Sequence, residues 1–199
     1  MRISHTIVYP SLLAAVGGMA SGGGSGPSQQ GFVQRLLAPG RHESIPPEMD
    51  IYAPFLGDWT ITGTEAVEPG KPVPVAMAVN FSRVLDGRAI QDIWSWSLDR
   101  RSPATGANYA SGTTLRVYEA QQKIWRITWI DPVKQARVQL DARKVGDDIV
   151  QVGATAQGLP RRWTFTDIAQ DSFTWRGEHS DDGGQTWRVT AQYFAKRSR

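Results

Sequence analysis

Hydrophobic and polar residues alternate along most of the chain after residue 49. In ten segments this period of two coincides with many β-branched and aromatic residues, a combination typical of β-strands. Turn sequences separate the segments at hairpin spacing and leave no room for crossover helices. The segments are TITGTEA, VPVAMAVNFSRVL, AIQDIWSWSL, GTTLRVYEA, IWRITWID, ARVQLDARKV, DDIVQVGATA, RRWTFTDI, SFTWRGEHS and TWRVTAQYFA. The pattern predicts an all-β fold, an antiparallel up-and-down meander of about ten strands that closes into a barrel.

A short helical turn is predicted immediately before the first strand, in MDIYAPFLGDW, where Gly57 ends the turn. The preceding residues differ in composition. SGGGSGPSQQG (21–31) is typical of a flexible linker, and APGRHESIPPE (38–48) is rich in Pro, Gly and charge. We therefore expect a disordered extension at residues 1–48 and a barrel domain at residues 49–199.

The first twenty residues contain a short apolar stretch that ends in Gly18-Met19-Ala20, with small residues at the two positions that a signal peptidase reads. Pro10 interrupts this stretch, and the region before it has few basic residues. A disordered extension and a cytoplasmic location are therefore expected. Export through a weak signal at residues 1–20 is the alternative.

The composition argues against several kinds of partner and site. The 199 residues carry a net charge of +3 that is spread along the chain, so no nucleic-acid partner is expected. The absence of cysteine excludes disulfides, thiolate catalysis and Cys-ligated metals. Only three histidines are present, two of them in the N-terminal region, so no metal site is expected. No apolar run reaches the ~18 residues that span a bilayer.

The segment SDDGGQTW, residues 180–187, matches the Asp-box of sialidases and other β-propellers. A propeller repeats this motif from blade to blade, whereas this chain contains one copy and is too short for six blades. In physical terms the motif is a hairpin turn, with Asp182 accepting N–H bonds and the glycines adopting positive φ. We therefore predict a structural turn and no sialidase activity.

The alternation assigns one face of each strand to the barrel interior. The residues predicted to face inward are Trp59, Ile61, Val75, Met77, Val79, Phe81, Trp94, Trp96, Leu98, Leu115, Val117, Trp125, Ile127, Trp129, Val138, Leu140, Val150, Val152, Trp163, Phe165, Phe173, Trp175, Trp187, Val189, Ala191 and Tyr193. Arg116 and Tyr118 are then predicted to face outward, unless a β-bulge near Gly112 turns both inward.

Gly57 and Trp59 in FLGDW open the first strand after the helical turn and resemble the G-x-W signature of lipocalins and related calycins. In those barrels the Trp closes the floor and an Arg of the last strand region stacks on it; Arg197 or Arg188 could take that place. Residues 50–196 also look like a bacterial family of lipocalin-like domains of unknown function. The resemblance implies a calycin-like barrel with an internal cavity.

Nitrobindins have a similar shape and bind haem through a histidine near the C-terminal strand. The corresponding segment here, TAQYFA, contains no histidine, and His179 is predicted to lie at a turn. No cofactor is therefore expected.

All eight tryptophans fall on the predicted inward face, which indicates either a packed core or a cavity wall. A ten-stranded barrel is wider than side chains alone fill, so a cavity for a small hydrophobic or aromatic molecule is expected. The predicted ligand-binding residues are Arg83, Trp94, Trp96, Trp129, Trp163, Trp175 and Tyr193. Arg83 would suit an anionic group of the ligand.

Enzymatic activity is the alternative on the same cavity. Asp92 and His179 are the candidate catalytic residues, because desolvation would shift their pKa values if they point inward. They would act as proton shuttles in an isomerase, cyclase or hydrolase of a small apolar substrate. Asp92, Asp131, His179 and Arg83 lie near strand ends, so rim ion pairs are the simpler interpretation. A structural or partner-binding role, including a homodimer, is a third possibility.

Overall fold

The computed structural model describes residues 29–68, 71–95 and 112–198. Ten antiparallel strands in this part of the chain form one closed barrel in which each strand pairs with the next and β10 pairs with β1. The strands are β1 (Gly57–Glu68), β2 (Lys71–Val84), β3 (Ala89–Ser95), β4 (Gly112–Glu119), β5 (Ile124–Asp131), β6 (Ala136–Val145), β7 (Asp148–Ala154), β8 (Pro160–Thr166), β9 (Ser172–His179) and β10 (Arg188–Arg197). The predicted up-and-down barrel is confirmed.

The described residues before β1 form helix α1 (Gln29–Leu36) and two 3₁₀ turns, Pro47–Met49 and Ala53–Phe55. No helix in the described part of the chain is long and apolar enough to cross a membrane. Residues 1–28, which include the segment 1–20 of the alternative export signal, lie outside the described residues, as do Trp96 and Leu98.

The segment between α1 and β1 packs on the barrel. The Ala38 amide donates to the Arg83 carbonyl at 2.9 Å, and the His42 amide donates to the Gly87 carbonyl at 3.1 Å. Ile45 is fully buried in the core. Residues before Met49 therefore pack on the barrel as well, although the composition predicts that the domain starts at Met49.

Aromatic side chains fill the end of the barrel at which β1 begins. Phe55, from the second 3₁₀ turn, lies 4.7 Å from Phe165 and 4.9 Å from Phe173 between ring centroids. Tyr52 contacts Trp125 edge-to-face at 5.3 Å. Each ring of this size contributes roughly 1.5–3 kcal/mol when fully buried. The predicted helical turn thus closes one end of the barrel, and we call residues 45–56 the plug.

The G-x-W signature fixes the plug to the barrel wall. Gly57 has φ of +112°, a conformation that favours glycine, at the corner where the plug becomes β1. The indole Nε1 of Trp59 donates to the Phe55 carbonyl at 2.6 Å. The Arg197 guanidinium lies 4.1 Å above the Trp59 ring and donates to the Leu56 and Pro54 carbonyls at 2.7 and 2.9 Å.

Of the two candidate arginines, Arg197 is therefore the one that stacks on Trp59. Arg188, the other candidate, is exposed and lies 3.6 Å from Asp181.

The predicted inward face is correct for most strands and wrong for β4. Val117 is 39% exposed and Leu115 also faces outward, whereas Thr114 and Arg116 are buried inside. The register explains the reversal, because Trp94 pairs with Gly112 and the inward positions of β4 follow from that pair. The alternative orientation of Arg116 and Tyr118 is the correct one, although the β3–β4 pairing is regular and contains no bulge.

Two further strands depart from the predicted faces. In β7, Ile149 and Gln151 are buried, and Val152 is 45% exposed, so Val150 and Val152 were assigned to the wrong face. The inward residues Ile149 and Gln151 pair with Phe165 and Trp163 on β8. These larger side chains determine which face of β7 points inward.

In β10 the register shifts between Val189 and Ala191, which leaves Thr190 as an extra residue. This irregularity reverses the alternation, so Trp187 and Val189 lie on the outside of the barrel.

Replacing Arg197 with Met should lower the free energy of unfolding by about 1.5–3 kcal/mol, because three hydrogen bonds of the guanidinium, to the Leu56, Pro54 and Gln170 carbonyls, and the contact with Trp59 are lost. Urea denaturation followed by circular dichroism measures this. Lys196→Met, at an exposed neighbouring position, is the control and should change stability by less than about 0.5 kcal/mol. Equal effects of the two substitutions would contradict the assignment.

Candidate functional site

A cavity of about 660 Å³ occupies the end of the barrel opposite the plug. Its lining reaches from Arg116 inside the barrel to Lys134 and Gln135 in the exposed turn between β5 and β6. Glu65 at the end of β1 and His179 at the end of β9 also line it. We call this end of the barrel the mouth.

Four tryptophans line the cavity and contact one another in a closed series, which we call the indole ring. The ring centroids of Trp94 and Trp129 are 6.5 Å apart, those of Trp129 and Trp163 6.5 Å, those of Trp163 and Trp175 5.6 Å, and those of Trp175 and Trp94 6.3 Å. Tyr193 stacks on Trp175 at 4.8 Å and an interplanar angle of 12°. The structure therefore brings together five of the seven predicted ligand-binding residues.

Two inward glycines make space for the indoles. A Cβ atom at Gly112 would lie 2.5 Å from the Trp129 ring, and one at Gly177 would lie 2.9 Å from the Trp175 ring. Both distances are shorter than real Cβ contacts. Glycine at these positions allows each indole to lie along the wall of the barrel.

A buried ion pair lies between the indole ring and the plug. Arg116 Nη2 donates to Asp92 Oδ2 at 2.7 Å, and the Thr114 amide donates to Asp92 Oδ1 at 2.7 Å. The Arg116 guanidinium also lies 4.9 Å from the centre of the Tyr52 ring and 5.2 Å from that of Phe81.

Asp92 is fully buried and is not among the residues that line the cavity, whereas Thr114 and Arg116 are. Both of its carboxylate oxygens are occupied. Its role in this structure is therefore to balance the charge of Arg116.

Gln151 presents an unsatisfied amide inside the barrel. The side chain lines the cavity and is 1% exposed, and neither Nε2 nor Oε1 has a hydrogen-bond partner among the described residues. Leaving a buried donor and acceptor unpaired costs about 1–3 kcal/mol each. Gln151 is not recognisable from the residue pattern, because the valines on either side of it favour the opposite face.

His179 and Arg161 form a pair near the mouth, and both line the cavity. Arg161 Nε donates to His179 Nε2 at 2.9 Å, which assigns the remaining ring proton to Nδ1. Burial, reinforced by the charges of Arg161 and Arg188, lowers the pKa of His179. The imidazole is therefore neutral near pH 7. Arg161 was not among the predicted site residues, although it precedes Trp163 by two positions on β8 and therefore faces inward as well.

The carboxylates of the cavity lining are engaged by their own partners. Tyr193 donates a short hydrogen bond to Glu65, and Lys134 Nζ lies 3.9 Å from Glu65 Oε2. Burial and the charge of Glu65 raise the pKa of Tyr193 well above its usual range, so the phenol stays protonated. Asp131 accepts the backbone N–H groups of Val133 and Lys134, both at 2.9 Å, and so stabilises the β5–β6 turn.

Arg83 does not line this cavity. Its guanidinium donates to both oxygens of Asp50 at 3.1 and 2.5 Å, and Arg41 lies 3.8 Å from the same carboxylate. The pair ties β2 to the plug at the far end of the barrel. This places Arg83 apart from the indole ring with which it was predicted to act.

The Asp-box forms a closed turn at the mouth. Asp182 accepts hydrogen bonds from the Thr186 backbone and hydroxyl and from the Ser180 hydroxyl, and these bonds hold its pKa well below the usual range. Trp187 packs on the outer surface under the Arg162 guanidinium, 4.2 Å from its ring centre. These contacts are those of a structural turn.

No family model and no curated protein matches this chain. Among solved structures, S-type phycobiliprotein lyase CPES from Guillardia theta is similar with a TM-score of 0.52 and 10% sequence identity, over 79% of this chain and 96% of that one. Rv2717c from M. tuberculosis is similar with a TM-score of 0.46 and 14% identity, over 78% of this chain and 99% of that one. The closed ten-stranded barrel is calycin-like, and at these identities the likeness concerns the fold alone.

Replacing Asp92 with Asn should lower the free energy of unfolding by about 3–5 kcal/mol, because Arg116 keeps a buried charge without a counter-charge. The double substitution Asp92→Asn with Arg116→Met should recover most of that loss. Urea denaturation measures both. A double variant as unstable as Asp92→Asn alone would show that charge balance is not the role of Asp92.

Proposed function

We propose that this barrel binds a small, flat, apolar molecule between the four indoles of its cavity. The observation that carries the proposal is that Trp94, Trp129, Trp163 and Trp175, which contact one another, all line a cavity of about 660 Å³. Tryptophans whose role was only to fill the core would pack against one another without leaving this volume. At the plugged end of the same barrel, Phe55, Phe165 and Phe173 pack against one another with ring centroids 4.7, 4.9 and 5.6 Å apart.

The dimensions and chemistry of the cavity support this proposal. Pockets for small molecules usually measure about 300–1,000 Å³ and combine an apolar wall with a few polar groups. Here the wall is aromatic, and the polar groups include Gln151, Arg161 and Tyr193. An aromatic contact adds about 0.5–1.5 kcal/mol beyond the burial of apolar area, so several indoles suffice for micromolar binding of a flat molecule.

The enzyme alternative has less support from the geometry. Asp92 has both oxygens occupied and does not line the cavity, and no hydrogen bond joins it to His179. His179 does line the cavity, but its Nε2 lone pair already accepts from Arg161. A proton shuttle between these two residues would require rearrangement of both sets of contacts, whereas simple binding requires none.

Binding is tested with N-phenyl-1-naphthylamine, a neutral aromatic probe whose fluorescence rises in apolar surroundings. The unmodified protein should bind it at micromolar concentration. Trp163→Leu should weaken binding by roughly 3- to 10-fold through loss of an indole contact. Trp187→Leu is the matched control, since this tryptophan lies outside the barrel, and should leave the affinity unchanged.

The proposal would be overturned if the probe failed to bind, or if the two tryptophan variants had the same effect. Circular dichroism of each variant separates loss of binding from loss of folding.

A further inference from the structure

Arg161 is a cation on the inner wall that has no anionic partner among the described residues. Its inward neighbours across the sheet are Gly153 on β7, which has no side chain, and His179 on β9, whose ring is neutral. Burial lowers the pKa of Arg161, and no nearby carboxylate opposes that effect. Among the described residues that line the cavity, the acids Glu65 and Asp131 are held by other groups.

Gln151 lies diagonally across from Arg161 on the same inner face. Gln151 pairs with Trp163, and Arg161 precedes Trp163 by two residues on β8. Diagonal neighbours on one face of a sheet are within reach of long side chains. The unpaired Nε2 donor of Gln151 and the guanidinium of Arg161 therefore belong to one polar patch beside the indole of Trp163.

Arg116, the buried cation deeper in the cavity, does not offer the same site as the half-buried Arg161. Arg116 also lines it, but Asp92 balances its charge at 2.7 Å. Arg161, with a neutral partner only, is the position at which an anion entering the cavity would gain a favourable ion pair and hydrogen bonds.

We propose that the ligand of this cavity is a planar aromatic carboxylate, with its acid group bound by Arg161 and Gln151 and its ring among the indoles. The proposal rests on the binding function proposed above and adds the chemical class of the ligand. The carboxylate accepts from the Arg161 guanidinium and from Gln151 Nε2, and no covalent step is involved. Because Arg161 lies close to the mouth, the apolar end of the ligand points toward the plug.

The test compares two probes of nearly equal shape, 2-naphthoate and 2-naphthamide, as competitors of N-phenyl-1-naphthylamine near neutral pH. The unmodified protein should bind the carboxylate about tenfold or more tightly than the neutral amide, as expected for a charge-assisted hydrogen bond. Arg161→Met should abolish this preference while the affinity for the amide changes little. Arg161→Lys should retain part of the preference, and Arg143→Met, at an exposed position outside the cavity, should retain all of it.

Gln151→Met supplies a second readout. It should weaken 2-naphthoate binding by roughly 3- to 10-fold and also raise the Tm of the unliganded protein, since the unpaired amide is removed. A residue that serves the fold alone would lower the Tm when replaced.

Equal affinity for the two naphthalene probes, or a preference that survives Arg161→Met, would overturn the carboxylate assignment. If N-phenyl-1-naphthylamine still binds in that case, the proposed binding function stands and only the ligand class is wrong. If the neutral probe does not bind either, the binding function itself fails.

Discussion

The contact between the plug and the first strand determines what the rest of the barrel can do. A ten-stranded barrel is too wide for its own side chains to fill, so one end must be closed if the interior is to be partly solid. The Trp59 indole binds the Phe55 carbonyl, and Arg197 covers that indole while binding two further carbonyls of the plug. The bond from Trp59 satisfies the carbonyl of the fully buried Phe55, which would otherwise be left unpaired at the closed end.

A single charged layer divides the interior into two parts with different properties. On the side of the plug, aromatic rings such as Tyr52, Phe55 and Phe165 pack without gaps. On the side of the mouth, tryptophans of similar size surround open volume. Asp92 and Arg116 lie between the two halves, and their mutual attraction offsets the cost of placing charge in an apolar interior.

The sequence predicted the barrel, its strand number and most of the indole ring, because a period of two repeated through ten segments allows few other folds. It could not predict β4 and β7 correctly, since both faces of these strands carry residues suited to either environment. Leu115 and Val117 gave β4 a stronger apolar signal than its inward residues Thr114 and Arg116. The direction was decided by pairing with Trp94 on β3, a contact that the pattern of one strand does not contain. Trp187 was misplaced for another reason, because the extra residue at Thr190 leaves no mark in the alternation. Gln151 was missed because the valines beside it favour the opposite face, and Arg161 was missed although it shares the inward parity of Trp163.

Because the plug closes one end of the barrel, a molecule from solvent reaches the cavity through the mouth. A bound molecule would enter and leave through that mouth. Its dissociation rate would therefore depend on the residues at the mouth and not on those beside the plug. If the cavity holds a molecule as proposed, the distances between the indoles limit the width of that molecule, whereas none of the described residues at the mouth sets a comparable limit on its length. A narrow molecule with an extended substituent would therefore fit as well as a compact one. A molecule wider than the space between the indoles would not fit, whatever its length.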